Sequence, residues 1–304
     1  MKPSRLKKLF AATLVCAFAA ATAHAQSDSR YYHPLTLAPA DDAPTGGGGG
    51  AGDDEKTQSA ELAKKLQNPV ASLISVPIQN NWDFGIGPAG AMRYTVNIQP
   101  VIPVSISKDW NLIVRTIMPI IYAEAPVDNR LAPDSVSEDH SGLGDITQSF
   151  FFSPKSPVGG WILAAGPVAL WPTATDSVLG AGKWGAGPTA VALRQEHGWT
   201  YGALVNHLWS YGGWGDNNVN ASFVQPFVSF TTKTFTTFGV NTESTYNWIE
   251  SQWTVPVNFT VQQLVKDGKQ PIALQAGYRS YAEKPDGGPD WGLRLAVTFL
   301  FPKK

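Results

Sequence analysis

The chain has 304 residues, and its 23 basic and 24 acidic residues leave a formal net charge of −1. This balance provides no basic surface for nucleic acid, so we expect no nucleic-acid partner. The single cysteine, Cys16, rules out a disulfide framework, and the histidine and acidic spacings predict no metal site and no cofactor.

Residues 1–25 have the pattern of a secretory signal peptide. Four basic residues occur within the first eight positions, and an apolar run follows from Leu9 to Ala23. The motif Ala23-His24-Ala25 is a cleavage signal of the A-x-A type. A membrane anchor would need about 20 apolar residues, and this run is shorter. We therefore expect a chain that is exported through a cleaved signal peptide.

Residues 26–57 contain GGGGGAGDD and many small polar residues, and they predict a flexible linker. Residues 58–68 follow with helix formers and few breakers, and Pro69 stops the pattern. We expect a short helix there, placed to plug or line one mouth of whatever fold follows.

From residue 69 to residue 304 the chain predicts strands and turns only. Most of the expected strands have about ten to fourteen residues, against about five or six in soluble sheets. A strand that crosses a bilayer at a tilt needs about 9–11 residues. The twelve predicted strands are 70–79, 91–104, 110–122, 143–153, 160–172, 185–195, 199–210, 219–231, 235–248, 252–265, 271–283 and 290–301.

The connections between these strands alternate in length, which is typical of outer-membrane barrels. The longer ones are expected at 80–90, 123–142, 173–184, 211–218 and 284–289. The last strand, WGLRLAVTFLF, is long and apolar on one face, so it would aggregate as a free edge. Pairing with the first strand removes that edge. The sequence thus predicts an all-β, antiparallel up-and-down transmembrane barrel over residues 69–304.

Alternation also separates two faces in each clear strand. In 91–104, for example, Met92 and Tyr94 alternate with Arg93 and Thr95. An arginine on the lipid face costs about 2–4 kcal/mol at the midplane, whereas a wet lumen solvates it. We expect Asp145 and Glu243 to pair with some of the arginines, and two roles stay open: contact with a solute, or simple filling of the lumen. The candidate lumen residues are Arg93, Arg115, Asp145, Arg194, Glu243, Arg279 and Arg294.

Aromatic residues carry two further expectations. In 160–172, 199–210 and 219–231 apolar residues fall on both faces, so the lumen is expected to be partly apolar, with Phe223 or Phe227 inside. Tyr122, Trp253 and Trp291 are expected in the aromatic girdles at the membrane interfaces.

Four segments carry a resemblance to a known family. They are LAKKLQNPVASLISVPIQNNWDFGIGP, GLGDITQSFFFSPK, PTATDSVLGAGKWGAGPTAV and WGLRLAVTFLFPK. Together they resemble the bacterial outer-membrane transporter family related to the MetA-pathway phenol-degradation proteins, whose members are often mislabelled neuromedin U. The resemblance covers residues 62–304. It implies a single-chain barrel in the outer membrane and uptake of small, in part aromatic, compounds.

Three functions are compatible with the sequence. The favoured one is a passive channel for small aromatic or anionic solutes, because twelve strands leave a narrow lumen. A non-conducting barrel that acts structurally or through its loops is the alternative, and a soluble exported β-sandwich is the third. His207 and Ser210 do not predict a catalytic pair, so we expect no enzyme. The expected partners are outer-membrane lipid, export chaperones, the barrel-assembly machinery and a small solute.

Overall fold

The computed structural model describes residues 51–125, 138–267 and 270–302. The predicted signal peptide, residues 1–25, and the linker up to residue 50 lie outside this part of the chain. The first described element is helix α1, Ala51–Leu66, which begins earlier than residue 58 and includes the end of the predicted linker. No helix in the described part of the chain has the length and apolar character needed to cross a membrane.

Fifteen strand segments follow the helix, all in one antiparallel sheet. They are β1 Ile74–Ile86, β2 Ala91–Ile98, β3 Val101–Ser105, β4 Trp110–Ala123, β5 His140–Leu143, β6 Ile146–Pro154, β7 Trp161–Trp171, β8 Lys183–Glu196, β9 Trp199–Gly213, β10 Asn220–Thr231, β11 Thr236–Thr242, β12 Ser244–Asn247, β13 Gln252–Asp267, β14 Gln270–Glu283 and β15 Trp291–Phe301.

Three interruptions reconcile these fifteen segments with the twelve predicted strands. β2 and β3 continue each other across Pro100, which has no N–H to donate to the ladder. β5 and β6 continue each other across Gly144 and Asp145, and β11 and β12 across Glu243. Each such pair occupies one place in the sheet, so the barrel has the predicted twelve strands.

The sheet closes on itself. β15 pairs antiparallel with β1, from Ile74 opposite Phe301 to Phe84 opposite Trp291. The long apolar last strand therefore has a neighbour on both sides, since β14 pairs with its other edge. This closed single sheet is the predicted up-and-down barrel, and it excludes the two-layer sandwich that the sequence had left open.

Side chains of β15 show which face lies inside. Leu293 is 44% exposed, whereas Arg294, the next residue, is 5% exposed. In a soluble protein the leucine would be buried in the core and the arginine would be exposed. The apolar face therefore points away from the barrel, and the charged face points into the lumen.

Aromatic side chains form two belts on the outer surface. The end of the barrel that contains α1 is called here the helix end, and the opposite end is called the loop end. Tyr122, Trp253 and Trp291 lie in the loop-end belt. The loop-end belt also contains Trp171, Trp184, Trp209 and Trp248, and the helix-end belt contains Trp110, Trp161, Trp199, Phe230 and Phe301. Two such belts are typical of barrels that span a bilayer.

The first strand differs from its prediction. It runs from Ile74 to Ile86 rather than over 70–79, and the connection predicted at 80–90 is a short turn that follows it. Gly87 and Gly90 have φ values of 65° and 66°, which glycine adopts without the steric cost of a side chain. These two glycines permit the tight turn into β2.

The helix end of the lumen contains both α1 and the segment after it. Leu62 and Ala63 of α1 are buried with Leu73, Leu264 and Leu300. Beyond the helix, residues 67–73, called here the inserted segment, continue into the lumen, where Val70 is buried among wall residues of β3 to β9. The Asn111 side chain donates a hydrogen bond to Ser72 Oγ at 2.8 Å.

Candidate functional site: a charged layer in the lumen

Glu243 is the central acceptor of the lumen. It sits where β11 stops and β12 begins, and its N–H donates to the Pro256 carbonyl of β13 at 3.3 Å. Arg294 donates to both carboxylate oxygens, at 2.9 Å from Nη1 and 2.8 Å from Nη2. Two parallel hydrogen bonds between a guanidinium and a carboxylate are the strong form of this ion pair.

Arg279 joins Glu243 to a second carboxylate. Its Nη2 donates to Glu243 at 3.0 Å and its Nη1 donates to Asp83 at 3.1 Å. Asn258 accepts from Nε at 2.9 Å, and the Tyr281 hydroxyl donates to Asp83 at 2.8 Å. Every group in this network has a charged or polar partner, as buried polar groups require.

Arg93 and Arg115 lie in the lumen without such pairing. Arg93 donates to the backbone carbonyl of Val178 at 3.3 Å, and Arg115 donates to the amide oxygen of Gln99 at 3.0 Å. Neither forms an ion pair with a carboxylate among the described residues. The described part of the lumen thus contains four guanidinium groups and two carboxylates, those of Asp83 and Glu243. Two positive charges have no carboxylate to balance them. The six residues Arg93, Arg115, Arg279, Arg294, Asp83 and Glu243 are called the arginine layer.

Two predicted lumen residues do not join the arginine layer. Asp145 does not pair with an arginine; its carboxylate accepts backbone N–H groups of Ala174 at 3.0 Å and Gly182 at 2.8 Å. Arg194 shares the outward parity of β8 and pairs with Glu196 at 2.8 Å near the helix end. An arginine at that depth reaches the polar interface, so the lumen is not needed to solvate it.

Sequence reasoning missed Asp83 as the second carboxylate, because it fell in the predicted connection 80–90. The available signal was the continued alternation of Asn81 and Asp83 with Trp82 and Phe84. Asn81 contacts this layer, since its side-chain oxygen accepts from Arg294 Nε at 2.7 Å.

A loop closes over the arginine layer at the loop end. Residues 172–182 fold inward, with Val178 and Leu179 buried. The Val178 N–H donates to the Asp176 carboxylate at 2.8 Å, and Nδ1 of His140 lies 3.1 Å from the same carboxylate. These two contacts hold the pKa of Asp176 below its usual range. Together with the N–H groups that Ala174 and Gly182 donate to Asp145, these contacts fix the loop across the mouth.

The two sides of the lumen differ in polarity. The arginine layer lies on β1, β2, β4, β14, β15 and the β11–β12 strand. The inward side chains from β3 to β10 are largely apolar, and β4 contributes to both regions. This arrangement bears out the expectation of a partly apolar lumen, including the inward placement of Phe223 and Phe227. The apolar wall consists of Val101, Ile113, Phe151, Ile162, Ala164, Val191, Leu193, Leu204, Phe223 and Phe227.

Fold and interior together define a class: a closed twelve-stranded barrel of the outer-membrane type, with a charged and partly filled lumen. No family model and no curated protein matches the chain. Among solved structures, the COG4313 outer membrane channel from Pseudomonas putida F1 is similar, with a TM-score of 0.58 and 14% identity, over 76% of this chain and 96% of that one. This likeness shows the fold.

Two further barrels resemble the chain more coarsely. Outer membrane phospholipase A from Escherichia coli has a TM-score of 0.42 and 10% identity, over 82% of this chain and 98% of that one. OmpF of Salmonella typhi, in complex with daunomycin, has a TM-score of 0.37 and 6% identity, over 75% and 96%. The link to phenol degradation that the sequence resemblance implies stays a prediction.

Proposed function

We propose that the protein is an outer-membrane channel for passive passage of small solutes. The fold, the two aromatic belts and the outward apolar face support a location in a bilayer. The similar solved barrel that is described as an outer membrane channel supports the transport role. The observation that carries the proposal is a charged lumen inside a closed wall whose outer face is apolar.

Anions and hydrogen-bond acceptors are the solutes that this lumen favours. Arginine rings select anions in pores, and the arginine layer has two positive charges in excess of its carboxylates. The apolar wall opposite suits a solute with an aromatic or aliphatic part. Small aromatic acids combine both features.

Passage requires a way past the inserted segment and past loop 172–182. We propose that α1 and the inserted segment form the plug expected from the sequence, and that the plug shifts when solute passes. Its described side-chain contacts with the wall are two hydrogen bonds, from Asn111 to Ser72 and from Gln195 to the Lys64 carbonyl at 2.8 Å, and two apolar clusters, one around Leu62 and one around Val70.

Reconstitution into planar bilayers tests the channel proposal. We expect single-channel currents and, in a salt gradient, a reversal potential that shows preference for anions. A deletion strain should take up small organic acids more slowly than its parent. Protein that is folded, by heat-modifiable gel migration, and yet passes no current would refute the proposal.

A cysteine pair tests the plug. Ser72→Cys and Asn111→Cys replace two side chains that meet in the lumen, and Cys16, the natural cysteine, lies in the predicted signal peptide. Oxidation should reduce the current and a reductant should restore it, whereas Ser72→Cys alone should respond to neither. Full current in the oxidised double variant would mean that the path bypasses the plug.

The alternative is a non-conducting barrel. It is favoured by one observation: Glu243, Arg279, Arg294 and Asp83 bridge β1, β14, β15 and the β11–β12 strand, as a purely structural filling would. If the lumen side chains only fill the barrel, its function depends on its loops. Exchange of loop 172–182 for an unrelated loop should then alter a binding phenotype, whereas solute uptake should stay unchanged.

A further inference from the structure

A partly open chamber lies between the plug and the arginine layer. Its volume is about 190 Å³, which is below the range of about 300–1,000 Å³ that holds drug-sized ligands. The inserted segment forms one side, through Pro69, Ala71 and Leu73, and the barrel wall forms the other. A cavity of this size fits a solute of a few heavy atoms.

The chamber lining is basic and amide-rich. Lys65 and Arg115 are its charged residues, and no acidic residue contributes to the described lining. Four glutamines, Gln79, Gln99, Gln262 and Gln275, supply amide groups around it. Glutamine amides can donate hydrogen bonds to a solute oxygen without adding charge. The described lining therefore favours a bound anion and provides no negative charge to balance a bound cation.

Arg115 is the group placed to bind that anion. Its guanidinium carries five N–H donors, and one hydrogen bond is formed among the described residues, from Nη2 to Gln99 at 3.0 Å. Arg279 and Arg294, by contrast, are committed to carboxylates of the protein. Lys65 is a weaker candidate, because its side chain is 45% exposed and lies 3.6 Å from Glu61.

We propose that this chamber is a binding site for a small organic monoanion, whose carboxylate is held by Arg115 and the surrounding glutamine amides. The inference rests on the proposed channel function and deepens it, because it assigns a saturable site and a solute class to the path. A carboxylate accepts two parallel N–H bonds from a guanidinium. Ala296 and Val101 line the same chamber and leave room for a short apolar chain.

Titration calorimetry of the folded full chain in detergent with propionate is the direct test. We expect saturable binding of propionate and none of propionamide, which has the same shape without the charge. Arg115→Gln should raise the dissociation constant at least about tenfold, the loss expected for a charge-assisted hydrogen-bonded pair. Arg115→Lys keeps the charge without the fork and should recover part of the affinity.

Two controls make the result decisive. Arg194→Gln removes an arginine from the outer surface and should leave propionate binding unchanged. Ala296→Leu fills the chamber without altering its charge and should abolish binding, which preserves the test if Arg115→Gln fails to fold. Equal affinities of the wild-type protein, Arg115→Gln and Ala296→Leu would overturn the inference.

The failure of this site and the failure of the channel give different results. A protein that conducts in bilayers but does not bind propionate would overturn the chamber and leave the channel intact. A protein that binds propionate in an Arg115-dependent way but passes no current would retain the site and refute passage. Binding of propionamide as tight as that of propionate would overturn the assigned solute class.

Discussion

Glu243→Gln is the perturbation whose size the structure predicts best. Glu243 accepts three hydrogen bonds from two guanidinium groups, at 2.8 to 3.0 Å. The side chains of Arg294 and Arg279 are 5% and 11% exposed, so water cannot readily replace the lost acceptor. A glutamine offers one acceptor oxygen and turns its NH₂ group toward a positive charge.

Removal of one partner from a buried ion pair costs about 3–5 kcal/mol. We expect the lower end here, about 3 kcal/mol, for two reasons. The Glu243 side chain is itself 25% exposed, and Asn81, Asn258 and Asp83 continue to bond the two arginines. This value corresponds to about two orders of magnitude in the folding equilibrium constant.

Urea titration of the barrel in lipid vesicles, followed by tryptophan fluorescence and by gel migration, measures the effect. Glu196→Gln is the matched control, because Glu196 also pairs with an arginine at 2.8 Å but on the exposed outer surface; we expect no measurable change. A double-mutant cycle with Arg294→Gln should show coupling. An equally small loss of unfolding free energy in Glu243→Gln and Glu196→Gln would refute this reasoning. It would mean that water in the lumen can replace the carboxylate as the acceptor for the two arginines.

Three further predictions follow from the fold. Leu295→Arg places a charge on the outward face near the middle of β15 and should cost about 2–4 kcal/mol in vesicles, whereas Thr298→Arg, on the lumen parity, should cost measurably less. Deletion of residues 291–304 removes the strand that pairs with β1, and the chain should fail to reach the heat-modifiable form. The Asp176 carboxyl has a lowered pKa, so its contribution is complete above about pH 4 and is lost as the pH falls through the folded-state pKa; hydrogen exchange of residues 172–182 should speed up there, and Asp176→Asn should remove this pH dependence.

The strand count and the faces could be predicted because bilayer and lumen impose opposite polarity on alternate residues. The pattern is long and uniform in β13, β14 and β15, and there each residue lies on its expected face. The first strand was placed wrongly because its lumen residues, Asn81 and Asp83, are the residue types that also favour turns. A wet lumen and a loop impose the same composition, so composition cannot separate them.

Charge alone also failed to locate every arginine. Arg194 and Arg294 both fall within strands, but Arg194 lies two residues from the end of β8, where an outward side chain reaches the membrane interface. Depth along the strand, in addition to parity, decides whether an arginine must face the lumen. The partner of Asp145 was predicted wrongly for another reason: the residue interrupts its strand, and its carboxylate accepts backbone N–H groups that only the folded loop brings near.

The positions of the arginines along the lumen separate two properties of the proposed path. Register places Arg115 opposite Val101, which in turn lies opposite Ser75, near the helix end of β1. Arg294 lies opposite Asn81, several residues farther along β1. Arg115 lines the chamber, whereas Arg279 and Arg294, which hold Glu243, do not contribute to its described lining. Removal of Glu243 should strengthen the preference for anions without creating a site, whereas removal of Arg115 should empty the site and leave the layer with one positive charge in excess of its carboxylates. Both variants should therefore change ion selectivity, but only the Arg115 variant should lose occupancy of the site, which a single ring of equivalent charges could not produce.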